Sequence, residues 1–404
     1  MERMDAFTTP LPKTWQKVRL GDIAEIKGGA SPRPIENPKW FCANSNVGWV
    51  RISDISKNSR FLYKTAQKLS KKGIEKSRFI KQNSLIMSMC ATIGKPIITK
   101  IDTCIHDGFV VFENPRIDLN YLYYFLCYIE KEWLESGQQG SQVNLNVDLI
   151  KNKEVFCPKD LNEQAAIANI LSALDRYLYS LDALILKKES VKKALSFELL
   201  SQRKRLKGFN QNWQKVRLGD ICEFGNGGAY ETLIVENGNF KLISLNSIDI
   251  DGNLKNTMKR VNFYDNSLKQ DDIVMVLSDV AHGDFLGLCA VIPSNDYVLN
   301  QRMGRLRKKN DCINILFLRL YINANQKYFK MQGQGSSQLN LSKKAIEDFE
   351  ILLPPLDEQA AIANILSGLD HEIISLKNKK RQFENVKKAL NHDLMSAKIR
   401  VLKK

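Results

Sequence analysis

Side chains that could do acid–base or metal chemistry are few and scattered along this chain. His106 precedes Asp107, and His282 stands two positions before Asp284. Such neighbours could pass a proton, but adjacency in sequence does not put side chains in register for transfer, so both pairs read as structural. A phosphate-cradling GxxxxGK[ST] loop is absent, because Gly94-Lys95 has neither the upstream glycine at the right spacing nor a following Ser or Thr. Gly225-Asn226-Gly227-Gly228 lacks the third glycine and the following helix of a dinucleotide fingerprint and reads as a loop. The cysteines (Cys42, Cys90, Cys104, Cys127, Cys157, Cys222, Cys289, Cys312) form no CxxC pair, which argues for reduced thiols and against a zinc site or a disulfide framework.

What the composition does offer is charge. A formal net charge of +16 favours a polyanionic partner, either nucleic acid or an anionic membrane surface. The chain is otherwise ordinary globular material, 44% hydrophobic and 26% charged over 404 residues, enough for two or three domains. No window approaches a membrane-spanning apolar run, and MERMDAFTTPLPKTW lacks a signal-peptide apolar region, so a cytoplasmic protein is expected.

The elements that must position any functional side chain occur twice. WQKVRLGDI at Trp15 to Ile23 returns at Trp213 to Ile221. QGSQVNLN at Gln139 to Asn146 returns as QGSSQLNLS at Gln334 to Ser342. EQAAIANIL at Glu163 returns at Glu358, and VKKAL at Val191 returns at Val386, both shifted by 195. Two large repeats follow, with divergent inserts between the shared markers: one job done twice on different targets.

Each half splits into two parts. Residues from Leu11 to Pro158 and from Gly208 to Pro355 carry short apolar runs (SLIMSM, GFVVF, DIVMVL, YVLNQRM) between Gly, Asn, Asp and Pro clusters, with a few helices such as YLYYFLCYIEKEWLES. That pattern reads as strand-rich domains. The stretches Leu161 to Lys204 and Leu356 to Ala397 contain no proline and read as long helices. Their apolar positions alternate by four and three (Ile167, Leu171, Leu174, Leu178, Leu181, Ile185; Ile362, Leu366, Leu369, Ile373, Leu376), a coiled-coil seam about 60 Å long. Lys188 and Lys380 break the seam, and antiparallel pairing could lay each lysine stem beside an apolar partner. The expected organisation is a first domain 1–158, a long helix 159–207, a second domain 208–355 and a second long helix 356–404. Paired antiparallel, the helices would relate the halves by a pseudo-two-fold axis and act as a ruler.

The ordered markers resemble those of the DNA specificity subunit of type I restriction-modification systems. In the first half these are LGDI at Leu20 to Ile23, GGASPRP, GWVRISDI at Gly48 to Ile55, SLIMSMCATIGK at Ser84 to Lys95, and QQGSQVNLN ahead of the EQAAIANIL helix. In the second they are LGDI at Leu218 to Ile221, DDIVMVLSD at Asp271 to Asp279, NQRMGRL at Asn300 to Leu306, GQGSSQLNLS and LLPPLDEQAAIANIL. The first helix entry departs slightly, reading CPKDLNEQ where the second keeps PPLDEQ. The resemblance implies an α+β protein with two target recognition domains, each reading one half of a bipartite, asymmetric DNA site. Two antiparallel coiled-coil helices would set the spacer. It also implies two docked modification subunits, S-adenosylmethionine-dependent adenine methyltransferases, together with restriction/translocase subunits. S-adenosylmethionine, ATP and Mg are then expected on those partners, with no cofactor or metal and no catalysis on this chain.

Base edges are read by Arg, Lys, Asn, Gln and Ser, and phosphates are held by cations, hydroxyls and free backbone N–H groups. The candidates in the first half are Ser31, Arg33, Arg51, Ser53, Ser88, Thr92, Lys95, Gln139, Ser141 and Gln142. Those in the second are Tyr230, Ser244, Asn246, Ser278, His282, Gln301, Arg302, Arg305, Gln334, Ser336 and Ser337. Basic runs at Lys68 to Lys81 and Leu254 to Arg260 are candidate phosphate-facing flanks. The Gln-Gly-Ser element has a competing role as a helix cap. For partner docking the candidates are Glu163, Gln164, Ile167, Ile170, Glu358, Gln359, Ile362 and Ile365, with internal packing as the alternative. A self-contained methyltransferase or nuclease would need the motifs found missing above. A non-catalytic nucleic-acid-binding coiled-coil scaffold would be expected to keep its two halves alike.

Overall fold

The computed structural model describes residues 12–58, 60–136, 145–280 and 283–401. It comprises two compact units: the first takes the described residues through Asp182 and those from Lys379 on, and the second is Ala183–Asn378. Both units draw on both long helices, Leu161–Leu200 and Leu356–Met395, each 40 residues. The helices stop short of Lys204 and Ala397 for the same local reason. Gln202 and Ala397 turn to φ +60° and +57°, and the following N–H groups of Lys204 and Ile399 donate back to the carbonyls of Glu198 and Asp393 at 3.1 Å. This left-handed stop satisfies carbonyls that the last turn leaves open.

In the first unit a five-stranded sheet runs in the order Glu25–Gly28, Phe109–Glu113, Leu85–Ser88, Pro96–Thr99, Phe61–Leu62. A four-stranded sheet has the order Gln67–Lys68, Gly48–Val50, Thr103–Ile105, Arg78–Ile80, and Trp15–Arg19 pairs with Glu154–Pro158. The run LIMS is apolar without alternation because both its faces are covered. Leu85 and Met87 enter the core that receives the helices, and Ile86 enters the core holding Val50, Ile105 and Phe109.

The second unit repeats this frame. Cys222–Asn226, Met303–Lys308, Ile273–Val276 and Cys289–Val291 form one sheet, Arg260–Val261, Phe240–Ile243 and Tyr297–Leu299 another, and Gln214–Arg217 pairs with Glu350–Leu353. In both units the strand holding Trp49 or Leu242 pairs parallel to a later strand, Thr103–Ile105 or Tyr297–Leu299.

The helices pack antiparallel within each unit, as the opposite run of partner numbers shows. In the first, Asp175 meets Lys387 at 2.5 Å, Asp182 meets Lys380 at 2.7 Å, and the Tyr177 and Phe383 rings lie 4.6 Å apart. In the second, Lys188 meets Glu372 at 2.8 Å, Glu189 meets Lys377 at 2.7 Å, and Lys192 pairs with Asp370. At both seam breaks the ammonium end is ion-paired across the helices. Lys188 and Lys380 each take a carboxylate from the facing helix, which compensates a half-buried ammonium better than an alkyl neighbour.

Candidate nucleic-acid interface

In the first unit the strand end at Gly28 leads into a loop clamped against the segment that precedes Phe109. Gly29 N–H donates to the Phe109 carbonyl at 2.8 Å and Ala30 N–H to the Ile105 carbonyl at 3.1 Å. Only glycine fits at Gly29, where a Cβ would stand 1.9 Å from the His106 oxygen. The loop carries Ser31 and Arg33 to Asp107: the Ser31 hydroxyl donates to Oδ1 at 2.9 Å, and the Arg33 guanidinium to Oδ2 at 2.6 Å. With Ile35, Trp49, Arg51 and His106 these residues line a recess of about 170 Å³.

Burial works against the Asp107 charge, but the Ser31 hydroxyl and the Arg33 guanidinium outweigh it and hold its carboxyl below the usual range. Burial pushes His106 the other way for an imidazole, downward, and Arg51 adds to the effect while Asp107 opposes it. Its Nδ1 lies 3.5 Å from Asp107 but accepts the Gly108 N–H at 2.9 Å. An acceptor nitrogen carries no proton, so the ring is neutral and the contact is not an ion pair. His106-Asp107 is thus a structural element, with the carboxylate serving as the anchor of the loop.

The second unit builds the same clamp. Gly227 N–H donates to the Met303 carbonyl at 3.2 Å and Gly228 N–H to the Leu299 carbonyl at 3.1 Å. A Cβ on Gly227 would meet the Asn300 oxygen at 2.0 Å. His106, Asp107 and Gly108 therefore correspond to Asn300, Gln301 and Arg302. Asn300 is 1% exposed and accepts the Tyr230 N–H at 3.1 Å. The Gln301 side chain makes no hydrogen bond and Arg302, exposed at φ +66°, no ion pair among the described residues. Arg51 and Ser53 in the first unit correspond through the parallel strand pairs to Ser244 and Asn246 in the second.

Several sequence candidates fall elsewhere. Gln139, Ser141, Gln142 and His282 lie outside the described residues. Ser88 and Ser278 are 0% and 2% exposed and cannot face a ligand. Ser88 closes its own turn by donating to the Thr92 carbonyl, and Ser278 bonds Asn340 at 2.6 Å. Thr92 and Lys95 are half-buried on that turn. Arg305 is tied to Glu223 at 2.7 Å and to the Ser267 carbonyl at 3.2 Å, and the Tyr230 hydroxyl to Asp265 at 2.8 Å. Gln334, Ser336 and Ser337 are exposed. Within the repeated Gln-Gly-Ser element the helix cap is made by its last residue, Asn146 or Ser342, whose side chains accept from Leu149 and Ala345 N–H at 2.8 and 3.2 Å. In the basic runs Lys71, Lys72, Lys76, Lys81, Lys255 and Lys259 are exposed, and no ion pair of theirs occurs among the described residues. Arg78 and Arg260 are spent on the Gly28 and Gly238 carbonyls.

Most of the docking candidates pack internally. Gln164 and Gln359, 1% and 0% exposed, stitch each helix start to its own unit: their amides donate to the Pro158 and Pro354 carbonyls at 2.8 Å and accept from the N–H groups of Asp118 and Asn314 at 2.8 Å. Glu358, also buried, takes both Arg205 and Trp213, whereas the half-buried Glu163 takes Trp15 at 3.3 Å. Ile167 and Ile362 are core. Ile170 and Ile365 alone of the set stay exposed, each at 38%.

Among the described residues no three His, Cys, Asp or Glu side chains are placed to hold a metal, and no helix is long and apolar enough to cross a membrane.

Residues 12–188 and 210–385 each match the type I restriction modification DNA specificity domain, and the chain belongs to that family. With two such domains it is a type I restriction-modification specificity subunit, a non-catalytic component whose associated enzymatic activities reside in other subunits. It is 26% identical to the type I restriction enzyme MjaVIII specificity subunit of Methanocaldococcus jannaschii over 97% of this chain and 94% of that one. Its fold is similar to the type I restriction-modification S subunit from M. genitalium (TM-score 0.63, 17% identity, 94% of this chain and 96% of that one). It is also similar to the HsdS subunit from Thermoanaerobacter tengcongensis (TM-score 0.51, 18% identity, 98% and 100%).

Proposed function

We propose that this specificity subunit reads a bipartite, asymmetric duplex, one unit per half-site, with the shared helices setting the spacer. The observation that carries the asymmetry is that one frame presents unlike side chains at corresponding positions. Arg51, Ser53 and Asp107 stand in the first unit where Ser244, Asn246 and Gln301 stand in the second. A reader of one palindromic sequence would need like chemistry in both.

The docked enzymes in this reading are two adenine methyltransferase subunits and the restriction/translocase subunits, carrying S-adenosylmethionine, ATP and Mg, in the cytoplasm. Docking on two equal subunits is supported by the exposed residues that the repeat keeps: Leu161 and Leu356, Asn169 and Asn364, Ile170 and Ile365. With the exposed lysines on phosphates, on the order of ten contacts, affinity falls steeply with salt.

The test is a map of methylated adenines in cells carrying this gene with its modification gene. A bipartite motif with unlike halves supports the reading. A palindromic motif removes the asymmetry, and no motif leaves a scaffold that binds nucleic acid without reading it.

A further inference from the structure

Resting on that reading, we infer that Arg33, held by Asp107, is the guanine-reading residue of the first half-site.

Asp107 uses both oxygens on the loop, one for the Ser31 hydroxyl at 2.9 Å and one for a terminal nitrogen of Arg33 at 2.6 Å. A guanidinium has five donors in a rigid fork, and this pairing uses one edge of it, leaving further N–H groups for a second acceptor pair. The Arg33 side chain remains 74% exposed at the mouth of the recess, beside the exposed Arg51. The carboxylate already anchors the loop through Ser31, and an exposed ion pair adds little stability of its own, so the Arg33 arm of the contact is not needed to hold the loop. It does restrict the rotamers of a long side chain before binding, which lowers the ordering cost at a base edge.

An arginine fork matches the O6 and N7 acceptors that guanine presents in the major groove. The second unit cannot form the same device. At the position of Asp107 it has Gln301, an uncharged amide, and at the position of Ser31 it has Ala229, reached by the same spacing from the clamped glycines Gly29 and Gly227. Asp107 is thus a positioning residue that acts through Arg33, at one of the places where the halves diverge within a shared frame.

The experiment uses the full chain co-purified with its modification subunit and measures methylation of a duplex library randomised at one base at a time. For Arg33→Ala the preference for guanine at one position of one half-site falls by roughly ten- to a hundred-fold, the discrimination of one bidentate contact, with the other half-site unchanged. Arg33→Lys does not restore it, because an ammonium lacks the fork. Asp107→Asn lowers the same preference by less, and at that same position. Unchanged preferences in Arg33→Ala, or an equal loss of methylation on every sequence, would reduce Arg33 to a phosphate contact and overturn the assignment. An unmodified complex with no base preference anywhere would instead defeat the specificity reading itself.

Discussion

Lys387 Nζ lies 2.5 Å from Asp175 Oδ1 in the first unit, and the residues displaced by 195, Lys192 and Asp370, are ion-paired in the second. Asp175 also accepts the Tyr124 hydroxyl at 2.5 Å, and that hydroxyl accepts from Arg60 at 2.9 Å. One carboxylate thus joins both helices to the strand-rich part of its unit. Asp175→Ala leaves the half-buried Lys387 ammonium without its carboxylate and takes one partner from the Tyr124 hydroxyl, and about 1–3 kcal/mol of stability is expected to go with it. Thermal unfolding beside Lys17→Ala, at the exposed Lys17–Glu154 pair, is the measurement; the control should move by less than about 0.5 kcal/mol. Equal shifts would mean that the repeated pair holds nothing together.

Gln164 and Gln359 should behave alike. Each buried amide satisfies a proline carbonyl and the N–H that opens a neighbouring helix, so truncation strands both groups away from water. Gln164→Ala and Gln359→Ala are each expected to cost about 1–3 kcal/mol. Denaturant titration checks this; a loss below about 0.5 kcal/mol would show the groups regaining water.

Ile170 and Ile365 should do the opposite. Each is 38% exposed at the helix surface, so an Arg stem can cover the same neighbours with its charged end in water, and the unfolding midpoint is expected to move little. If the repeated exposed face docks a partner, the same changes abolish co-purification of the modification subunit. Retained co-purification with both sites changed would place docking elsewhere.

How far the sequence foretold this arrangement depended on whether a signal was local or cross-chain. The duplication, the helix starts and the strands at SLIMSM and GFVVF were legible, because period and repeat spacing are properties of one segment. The fate of EQAAIANIL was not: an exact repeat looks the same whether it faces a partner or the core, and Gln164 is decided by the Pro158 carbonyl and the Asp118 N–H. Ser88 and Ser278 failed similarly, since a serine at the end of a strand gives no sign whether its hydroxyl is spent inside the fold, on the Thr92 carbonyl or on Asn340. Asp107 was passed over as half of a histidine–carboxylate pair. Aligning HDG with NQR across the repeat would have marked it, because the halves differ there while the glycines that clamp them stay the same.

A chain ending at Lys207 tests how the units share the helices. The first unit's core includes Leu394 and Met395, with Leu390 packed against it, so truncation removes part of that core. The fragment still holds the repeat's own counterparts, Leu195, Leu199 and Leu200, which in the second unit pack into the equivalent core. Two copies can therefore complete each other, and light scattering is expected to give twice the fragment mass. With a modification subunit such a pair should read a site with two like halves. A well-folded monomer would contradict the shared-helix arrangement.

The cysteines give a prediction with a pH sign. Cys42 and Cys312 are exposed, whereas Cys104, Cys157, Cys222 and Cys289 are buried. Burial pushes the Cys104 thiol from 9.0 up to about 11, against a lowering contact from Ser77. Burial likewise takes Cys222 to about 12, with Cys312 adding to the rise and Lys309 opposing it. A group whose folded value is raised favours the native state fully below its unfolded value. That contribution drains as pH climbs towards the folded one. Stability should therefore fall between about pH 9 and pH 11 through Cys104, and Cys104→Ala should flatten that part of the slope. In the native state at neutral pH, a thiol reagent should modify Cys42 and Cys312 first, since the buried thiols are both protonated and out of reach. Rapid modification of Cys104 or Cys222 would show that the sheets housing them open far more readily than their packing implies.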